Sequence, residues 1–182
     1  MKAYELYGIG DLRYEETAKP ELKHGEALVK VQAAGICGSD IHKMQSGWRY
    51  GLPMVMGHEF AGEVEAIGSE VKNIVVGDRV AIAPLLPCNE CIYCKSGKYQ
   101  LCENYQMIGS HRYGGFEEFC TVPESNVINI GSKISYEEAA MIEPLAVAAH
   151  GVMGLDPQTG DQVAVFGLGT IGILSVQWLR LA

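Results

Sequence analysis

The chain has few cationic side chains and no long apolar run. The first shortage argues against nucleic-acid binding, and the second argues against a membrane-spanning segment. Its 182 residues include 14 Lys and Arg against 22 Asp and Glu, which gives a formal net charge of −8. Nucleic-acid binding needs clustered Lys and Arg against phosphate, so no nucleic-acid partner is expected. No apolar run approaches the roughly 18 residues of a membrane span. The first residues carry acidic groups and no apolar signal-peptide segment, so we expect no membrane partner and a cytoplasmic location.

Cysteine, by contrast, is concentrated in one stretch. Four of the six cysteines lie within fifteen residues in the spacing C-x2-C-x2-C-x7-C, namely Cys88, Cys91, Cys94 and Cys102. In a cytoplasmic protein such a cluster indicates a metal rather than disulfides. Four thiolates close a tetrahedral shell around Zn²⁺ and leave no position for substrate, so we predict a structural zinc. An iron–sulfur cluster is the alternative, because sets of four cysteines also hold these.

A second set of potential metal ligands lies outside this loop. Cys37 stands in GICGSDIH, His58 and Glu59 stand in GHEFAGEVEAIG, and Glu143 stands in MIEPLAVAAH. A thiolate, an imidazole and one carboxylate are three protein ligands, and three ligands with one open position are typical of a catalytic zinc. A non-catalytic, zinc-stabilised binding module is the alternative from a different class, since the four-cysteine loop alone would permit it. Two zinc ions per chain favour the enzyme, and one favours the module.

Alternating patterns and glycine turns predict a mainly β first part. In ALVKVQAAG, residues 27–35, apolar side chains alternate with polar ones as in a half-buried strand. The runs FEEFCTVP and NVINI are predicted to form a further strand pair after Gly114-Gly115. Ser39 or Asp40 is predicted to cap a short helix that begins just after the first cysteine motif.

The pattern becomes helical from Ser135 onward. Ser135 and Glu138 have the spacing of a capping box, in which a serine hydroxyl and a glutamate carboxylate each bind the other residue's backbone N–H. Pro144 interrupts the helical run nine residues later, and it either kinks this segment or begins a second helix.

A glycine turn follows near residue 167. The apolar run QVAVF predicts a buried strand, and GLGTIG then places Gly167, Gly169 and Gly172 before a helical segment. The pattern G-x-G-x-x-G between a strand and a helix is typical of the Rossmann fold, where the glycines let the backbone approach a pyrophosphate at the helix N-terminus. We therefore predict NAD or NADP as a cofactor. A lone parallel strand with one helix cannot bury both faces, so residues after about 155 are expected to dock weakly, swap or fray.

Together these motifs resemble the medium-chain zinc alcohol dehydrogenase family. Besides the cysteine loop and the glycine turn, the matching features are CGSD at 37–40, GHE-x-x-G at 57–62, Gly68 and GDRV at 77–80. PLLPC and the later IGSHRYGGF at 108–116 most resemble the sorbitol and galactitol-1-phosphate dehydrogenase branch. The resemblance implies a mainly β fold with α-helices, in which a GroES-like, partly open β-barrel catalytic domain is followed by the truncated start of a Rossmann α/β domain.

The domain bounds that follow are 1–150 for the catalytic domain and 151–182 for the incomplete NAD(P)-binding domain. The resemblance implies Cys37 and His58 as ligands of a catalytic zinc, beside the structural zinc of the cysteine loop, and hence two zinc ions per chain. Glu143 is favoured as the third ligand. Glu59 either ligates directly or lies beside the metal.

The same resemblance assigns roles to polar and aromatic residues around this zinc. Ser39 matches the hydroxyl that takes the substrate's proton, and His42 matches the outer member of the proton relay. Trp48 and Tyr50 lie where the family has a wall of the substrate pocket. As a hypothesis, Arg112 holds an anionic end of the substrate, because its planar guanidinium suits phosphate geometry.

The expected activity is oxidation of a secondary alcohol, on a polyol or polyol phosphate, to a ketone with NAD(P)⁺. Zinc would lower the pKa of the alcohol, a serine–ribose–histidine chain would carry its proton away, and the nicotinamide would take the hydride. Threonine or butanediol dehydrogenase is the alternative within the class, whereas a zinc-free quinone reductase needs neither metal site. We expect the full-length protein to be a homodimer or homotetramer acting on a small molecule, and the fragment itself to be inactive.

Overall fold

The fold was obtained as a computed structural model that describes residues 1–48 and 50–181, so Ala182, the last residue of the predicted second domain, lies outside the described part. The strands are, in chain order, β1 Lys2–Gly8, β2 Asp11–Glu16, β3 Glu26–Gly35, β4 Met54–Val55, β5 Glu59–Ile67, β6 Arg79–Ile82, β7 Leu85–Leu86, β8 Gln106–Met107, β9 Phe119–Pro123 and β10 Val127–Asn129. The α-helices are α1 Gly38–Ser46, α2 Ile92–Lys95, α3 Tyr136–Ala140, α4 Ile142–Leu155 and α5 Thr170–Leu179. Short 3₁₀ turns span Tyr99–Leu101 and Glu124–Asn126.

Two antiparallel sheets form the body of the molecule. The larger sheet has the strand order β10-β6-β5-β3-β9, and the smaller has the order β2-β1-β4. The segment after Gly115 joins them, because Phe116 O accepts from Tyr4 N–H of β1 at 2.8 Å and Glu118 O accepts from Val31 N–H of β3 at 3.0 Å. This arrangement confirms the predicted mainly β fold with α-helices and a partly open barrel.

The barrel core is formed by the apolar side chains that alternate with exposed ones along the strands. In β3, Val29 is fully buried and Val31 packs against the core, while the intervening Lys30 is exposed. Apolar side chains of β3, β5, β6 and β9 pack together around Phe60 in the barrel interior. On the opposite face, α3 packs Ala139 and its neighbours against β5 and β6. The barrel thus provides a rigid scaffold for the β3–α1 and β4–β5 connections, where the predicted metal ligands lie.

Two local predictions about the first part need correction. FEEFCTVP and NVINI do not pair with each other, because β9 pairs with β3 and β10 pairs with β6. Each strand instead finds its partner far away in sequence, which local turn signals do not show. The N-cap of α1 is Cys37, so Ser39 lies inside the first turn and is not the cap, while Asp40 binds the Cys37 N–H from the third helical position.

The helical second part begins as predicted. Glu138 N–H donates to Ser135 Oγ at 3.1 Å, and Ser135 N–H donates to Glu138 Oε2 at 2.7 Å, which confirms the capping box. Pro144 lies in the first turn of α4, where its missing N–H has no intrahelical partner to lose. It therefore belongs to the start of a second helix.

The prediction of a buried strand at 162–166 is wrong for the described chain. The glycine turn and α5 follow where they were expected, but QVAVF takes no strand conformation and Phe166 is 96% exposed. A parallel strand is buried by flanking strands and by helices on both faces. Among the described residues no such flanking strand lies beside 162–166. No helix in the described ranges has both the length and the apolar character needed to cross a membrane.

Candidate functional site

The four cysteines of the loop converge on one point. One ligand atom from each of Cys88, Cys91, Cys94 and Cys102 lies within 4.8 Å of the others, and Cys88 Sγ and Cys94 Sγ are 3.9 Å apart. A tetrahedral ion with metal–sulfur bonds of about 2.3 Å holds its sulfurs about 3.8 Å apart. All four are free thiols. The donor set and its spacing therefore fit a single, fully enclosed zinc.

Backbone N–H groups in this loop donate to cysteine sulfurs and favour their ionised, thiolate form. Cys88 N–H donates to Cys102 Sγ at 3.2 Å, and the N–H groups of Cys94 and Glu103 lower the pKa of Cys91 to about 6. The Cys88 N–H likewise lowers the pKa of Cys102. Burial has the opposite effect on Cys94, whose pKa it raises to about 12. A bound cation supplies the charge that would keep all four sulfurs ionised together.

The second ligand set also converges. Cys37 Sγ, a ring nitrogen of His58 and a carboxylate oxygen of Glu59 lie within 4.8 Å of one another. Cys37 stands between β3 and α1, and Glu59 begins β5. Gly57 precedes this pair with φ +90°, and a Cβ there would lie 2.6 Å from the Phe116 ring. Only glycine fits this backbone turn, which aims His58 toward the cysteine.

Asp40 connects the two protein segments that supply these ligands. It is 1% exposed, accepts the Cys37 N–H through Oδ2 at 3.1 Å, and places Oδ1 3.5 Å from His58 Nδ1, a buried nitrogen with no hydrogen-bond partner among the described residues. Burial favours a higher pKa for Asp40, but His58 and Lys43 outweigh it and lower the pKa. A carboxylate behind a metal-binding imidazole fixes the ring's orientation. Sequence reasoning treated Asp40 only as a helix cap, although its place three residues after Cys37 was the available signal.

Glu143 lies near the second set, but its carboxylate is not among the ligand atoms that converge with those of Cys37 and His58. It is half-buried on α4, and burial raises its pKa. The nearby His58 opposes that rise in pKa, and the charges of Glu59 and Asp40 add to it. Among the residues that the structure describes, Glu59 is the carboxylate gathered with the cysteine and histidine. Direct ligation by Glu143 stays a prediction.

The two proposed relay residues lie on α1. Ser39 and His42 are both exposed, and they are three positions apart, which brings them to one side of the helix. His42 Nδ1 lies 3.4 Å from Ser46 Oγ. Neither side chain is committed to a buried contact, so both are free to meet a molecule bound outside the helix.

The two aromatic residues predicted for the substrate wall pack edge to face against each other. The Trp48 and Tyr50 ring centroids are 5.0 Å apart, and Tyr50 lies 4.1 Å from the His111 ring. Trp48 also packs against the apolar cluster around Met56. Packing against this cluster is thus sufficient to explain the position of the Trp48 side chain, while Tyr50 keeps an exposed surface. Their contact with substrate stays a prediction.

Arg112 lies in a different environment from the one predicted for a substrate contact. Its Nη2 donates to Glu26 Oε1 at 2.8 Å and to Thr121 O at 3.2 Å, on β3 and β9 of the barrel. The side chain is therefore tied to the barrel by an ion pair. Its role toward an anionic substrate stays a prediction, and the structure gives it a separate task in holding β3 and β9.

One cleft joins the second ligand set to the glycine turn. Its volume is about 580 Å³, and its walls include Cys37 and Glu59 on one side and Gly167, Gly169 and Gly172 on the other. Gly167 has φ +90°, and a Cβ on Gly172 would lie 1.9 Å from Gly167 O, so both positions require glycine. The N-terminus of α5, with its free N–H groups, opens beside this turn.

Comparisons with known proteins agree with this geometry. Residues 23–132 match the family described as the alcohol dehydrogenase GroES-like domain. The chain is 38% identical over 182 residues to sorbitol dehydrogenase of Bacillus subtilis, covering 97% of this chain and 51% of that protein.

Solved structures of dehydrogenases have the same fold as this chain. Galactitol-1-phosphate dehydrogenase of Escherichia coli superposes with a TM-score of 0.94 at 37% identity, over 100% of this chain and 53% of that one. A protein of Sinorhizobium meliloti 1021 described as a zinc-binding dehydrogenase, bound to NADP, gives a TM-score of 0.95 at 39% identity, over 100% and 53% of the two chains. The chain thus spans about half the length of the relatives it matches. The family match, together with the ligand geometry and the fold, shows that this chain belongs to the alcohol dehydrogenase GroES-like domain family.

Proposed function

We propose that this chain supplies the zinc-binding catalytic part of an NAD(P)-linked oxidoreductase that converts a secondary alcohol, on a polyol or polyol phosphate, to a ketone. The single observation that carries the proposal is the shared cleft. The candidate ligands Cys37 and Glu59 line the same space as the glycine turn at 167–172. A metal site and a nucleotide site must open on one cavity if a hydride is to pass between their ligands.

The metal part of the proposal rests on the donor chemistry. Cys37, His58 and Glu59 offer one sulfur, one nitrogen and one oxygen, a set that suits zinc and leaves a fourth tetrahedral position free. When bound there, zinc supplies a Lewis acid that lowers the pKa of an alcohol. The four cysteines of the loop would hold a second, structural zinc.

The chain's own residues would then handle the proton. Ser39 lies two residues after Cys37 in the first turn of α1, and its hydroxyl would accept a proton from an alcohol held at the metal. His42, one turn further on and exposed, would pass the proton to solvent. The glycine turn and the α5 N-terminus would bind the cofactor's pyrophosphate through backbone N–H groups.

The substrate class rests on the relatives. Sorbitol dehydrogenase and galactitol-1-phosphate dehydrogenase are the proteins to which the chain is similar, and both act on polyols by name. The oxidation itself is proposed for a protein in which this chain is followed by a complete nucleotide-binding domain. In that protein, oxidation of sorbitol or galactitol 1-phosphate is measured by the appearance of reduced nicotinamide.

Zinc content provides the direct test. The purified chain is expected to hold two zinc ions, and Cys37→Ala is expected to hold one. Cys120→Ala is the matched control, because Cys120 is buried in β9 outside both ligand sets and its loss should leave two. One zinc in the unaltered chain would support a binding module instead of the enzyme. Two zinc ions retained after Cys37→Ala would show that Cys37 is not a ligand.

A further inference from the structure

Lys43 is a buried cation behind the second ligand set. It lies on α1 and is only 7% exposed, although its charged group costs free energy when removed from water without partners. Its Nζ lies 3.2 Å from Asp40 Oδ1, 3.1 Å from Ser110 Oγ and 3.3 Å from Gly109 O. All three ammonium protons therefore have acceptors, and none is left for a substrate.

Two partners of Lys43 lie beside His58 or the residue before it. Asp40 is the first, and its Oδ1 also faces His58 Nδ1 at 3.5 Å. The loop at 109–110 is the second, and it packs directly on Gly57, the residue before His58. A Cβ on Gly109 would lie 2.5 Å from Gly57 O, so this loop and the backbone at Gly57 are in the closest contact that glycine permits.

The aromatic wall adds a further contact. Lys43 Nζ lies 4.7 Å from the centre of the Trp48 ring, so the ring face covers the ammonium group. The side chain is thus enclosed by a carboxylate, a hydroxyl, a carbonyl and an aromatic face. Such an enclosure fixes one rotamer and gives a rigid link between α1 and the loop.

From these contacts we propose that Lys43 is a positioning residue for the metal site. It holds the Asp40 carboxylate in the orientation that meets both His58 and the Cys37 N–H, and it fastens the 109–110 loop over Gly57. Lys43 itself contacts neither metal nor substrate. The inference rests on the proposed function in one respect, namely that Cys37, His58 and Glu59 bind a metal.

The test measures the affinity of each of the two zinc sites by chelator competition in the same chain. Lys43→Met keeps most of the unbranched apolar stem of the side chain but removes its charge and donors. It is expected to weaken the second-set site about tenfold, as loss of a group behind a metal ligand does. The four-cysteine site is the internal control and should keep its affinity. Lys43→Arg, which retains the charge, is expected to restore most of the loss.

Two further variants make the result decisive. Lys133→Met removes an exposed lysine and should leave both sites as in the unaltered chain. Ser110→Ala removes one acceptor from Lys43 without touching Asp40, and it should weaken the second-set site about threefold, as the loss of one hydrogen bond does. If Lys43→Met does not fold, the test relies on Ser110→Ala. Unchanged zinc affinity of its second-set site would then overturn the inference.

Other outcomes separate this inference from the proposed function. Unchanged affinity in a folded Lys43→Met overturns the positioning role while leaving the metal site intact. Equal weakening of both sites, with a matching fall in thermal stability, overturns it as well, because Lys43 would then support only the fold. A single zinc in the unaltered chain would instead contradict the proposed function itself.

Discussion

The carboxylate of Glu59 lies against Gly35, its partner across the β3–β5 ladder. A Cβ built on Gly35 would lie 2.5 Å from Glu59 Oε2 and 3.2 Å from Glu59 Cβ. The absence of a side chain at position 35 therefore makes the space in which the Glu59 carboxylate turns toward Cys37 and His58. Strand register, set by the barrel core, decides which residue stands opposite Glu59.

Replacement of Gly35 by alanine should disturb the metal site more than the fold. The closest contact of the added methyl group is with the movable carboxylate of Glu59, and the 3.2 Å contact with Glu59 Cβ needs a shift of only a few tenths of an ångström, so the free energy of unfolding should change by less than about 1 kcal/mol. The displaced carboxylate should weaken zinc at the second set about tenfold. Gly25→Ala is the control, because a Cβ there meets nothing within 4 Å. Unchanged zinc affinity in Gly35→Ala would show that Glu59 needs no fixed position.

Two amide variants distinguish the candidate carboxylate ligands. Glu59→Gln should weaken zinc at the second set more than Glu143→Gln does, because only Glu59 has its oxygen gathered with Cys37 and His58. Both substitutions preserve size and remove one negative charge, so each controls for the other. Zinc affinity by chelator competition is the measurement. A larger loss in Glu143→Gln would make Glu143 the ligand and Glu59 its neighbour.

The ion pair between Arg112 and Glu26 should stabilise the barrel. Within residues 1–48 and 50–181, the buried Glu26 Oε2 has no hydrogen-bond partner, so loss of the guanidinium leaves a largely buried carboxylate unpaired. Arg112→Met should lower the free energy of unfolding by about 2 kcal/mol in urea titration, and adding Glu26→Gln should recover much of it. Arg13→Met, which breaks an exposed pair with Asp11, is the control and should lower the free energy of unfolding far less than Arg112→Met does.

The same double variant tests the contact of Arg112 with an anionic substrate. It lacks the guanidinium but leaves no unpaired charge at Glu26, so we expect it to keep the fold. In the complete protein, a preference for phosphorylated over free polyol that survives in the double variant would remove Arg112 from substrate recognition.

Ionisation of Glu117 should make the free energy of unfolding of the barrel fall as pH rises. The pKa of Glu117 is raised from 4.5 to about 8, chiefly by burial; the Cys120 thiol opposes the rise, and the Glu5 carboxylate adds to it. Because the folded chain binds this proton more tightly than the unfolded chain, its contribution to stability falls as pH rises from about 4.5 to about 8. Glu117→Gln removes this loss, so the variant should match the unaltered chain near pH 4 and exceed it by a few kcal/mol near pH 9.

Urea unfolding of both proteins across this pH range provides the measurement. The exposed Glu21→Gln serves as the control for removal of one carboxylate and should show no such divergence. Parallel curves for Glu117→Gln and the unaltered chain would mean that Glu117 is ionised without penalty in the folded state.

The ligand types were predictable from sequence, but the groups that orient them were not. Cysteine spacing and the motif around His58 indicate metal chemistry whatever the surrounding fold. Lys43, by contrast, looks like a surface lysine on a short helix, because its burial depends on Ser110, 67 residues away. Arg112 suggested phosphate binding, and its actual partner Glu26 lies 86 residues away. Apolar composition likewise predicted burial at 162–166, although burial of a parallel strand comes from its neighbours in the sheet.

The segment at 156–169 should be the first part of the chain that a protease cuts. Phe166 is 96% exposed and its segment has no strand pairing among the described residues, so local opening there costs little free energy. Chymotrypsin should therefore cleave after Phe166 well before it reaches Phe60, which is buried in the barrel core. Trypsin is the matched control, because residues 134–179 contain neither lysine nor arginine and should survive it. If chymotrypsin spares Phe166 as long as Phe60, the segment is held by contacts stronger than those that α5 makes with α4.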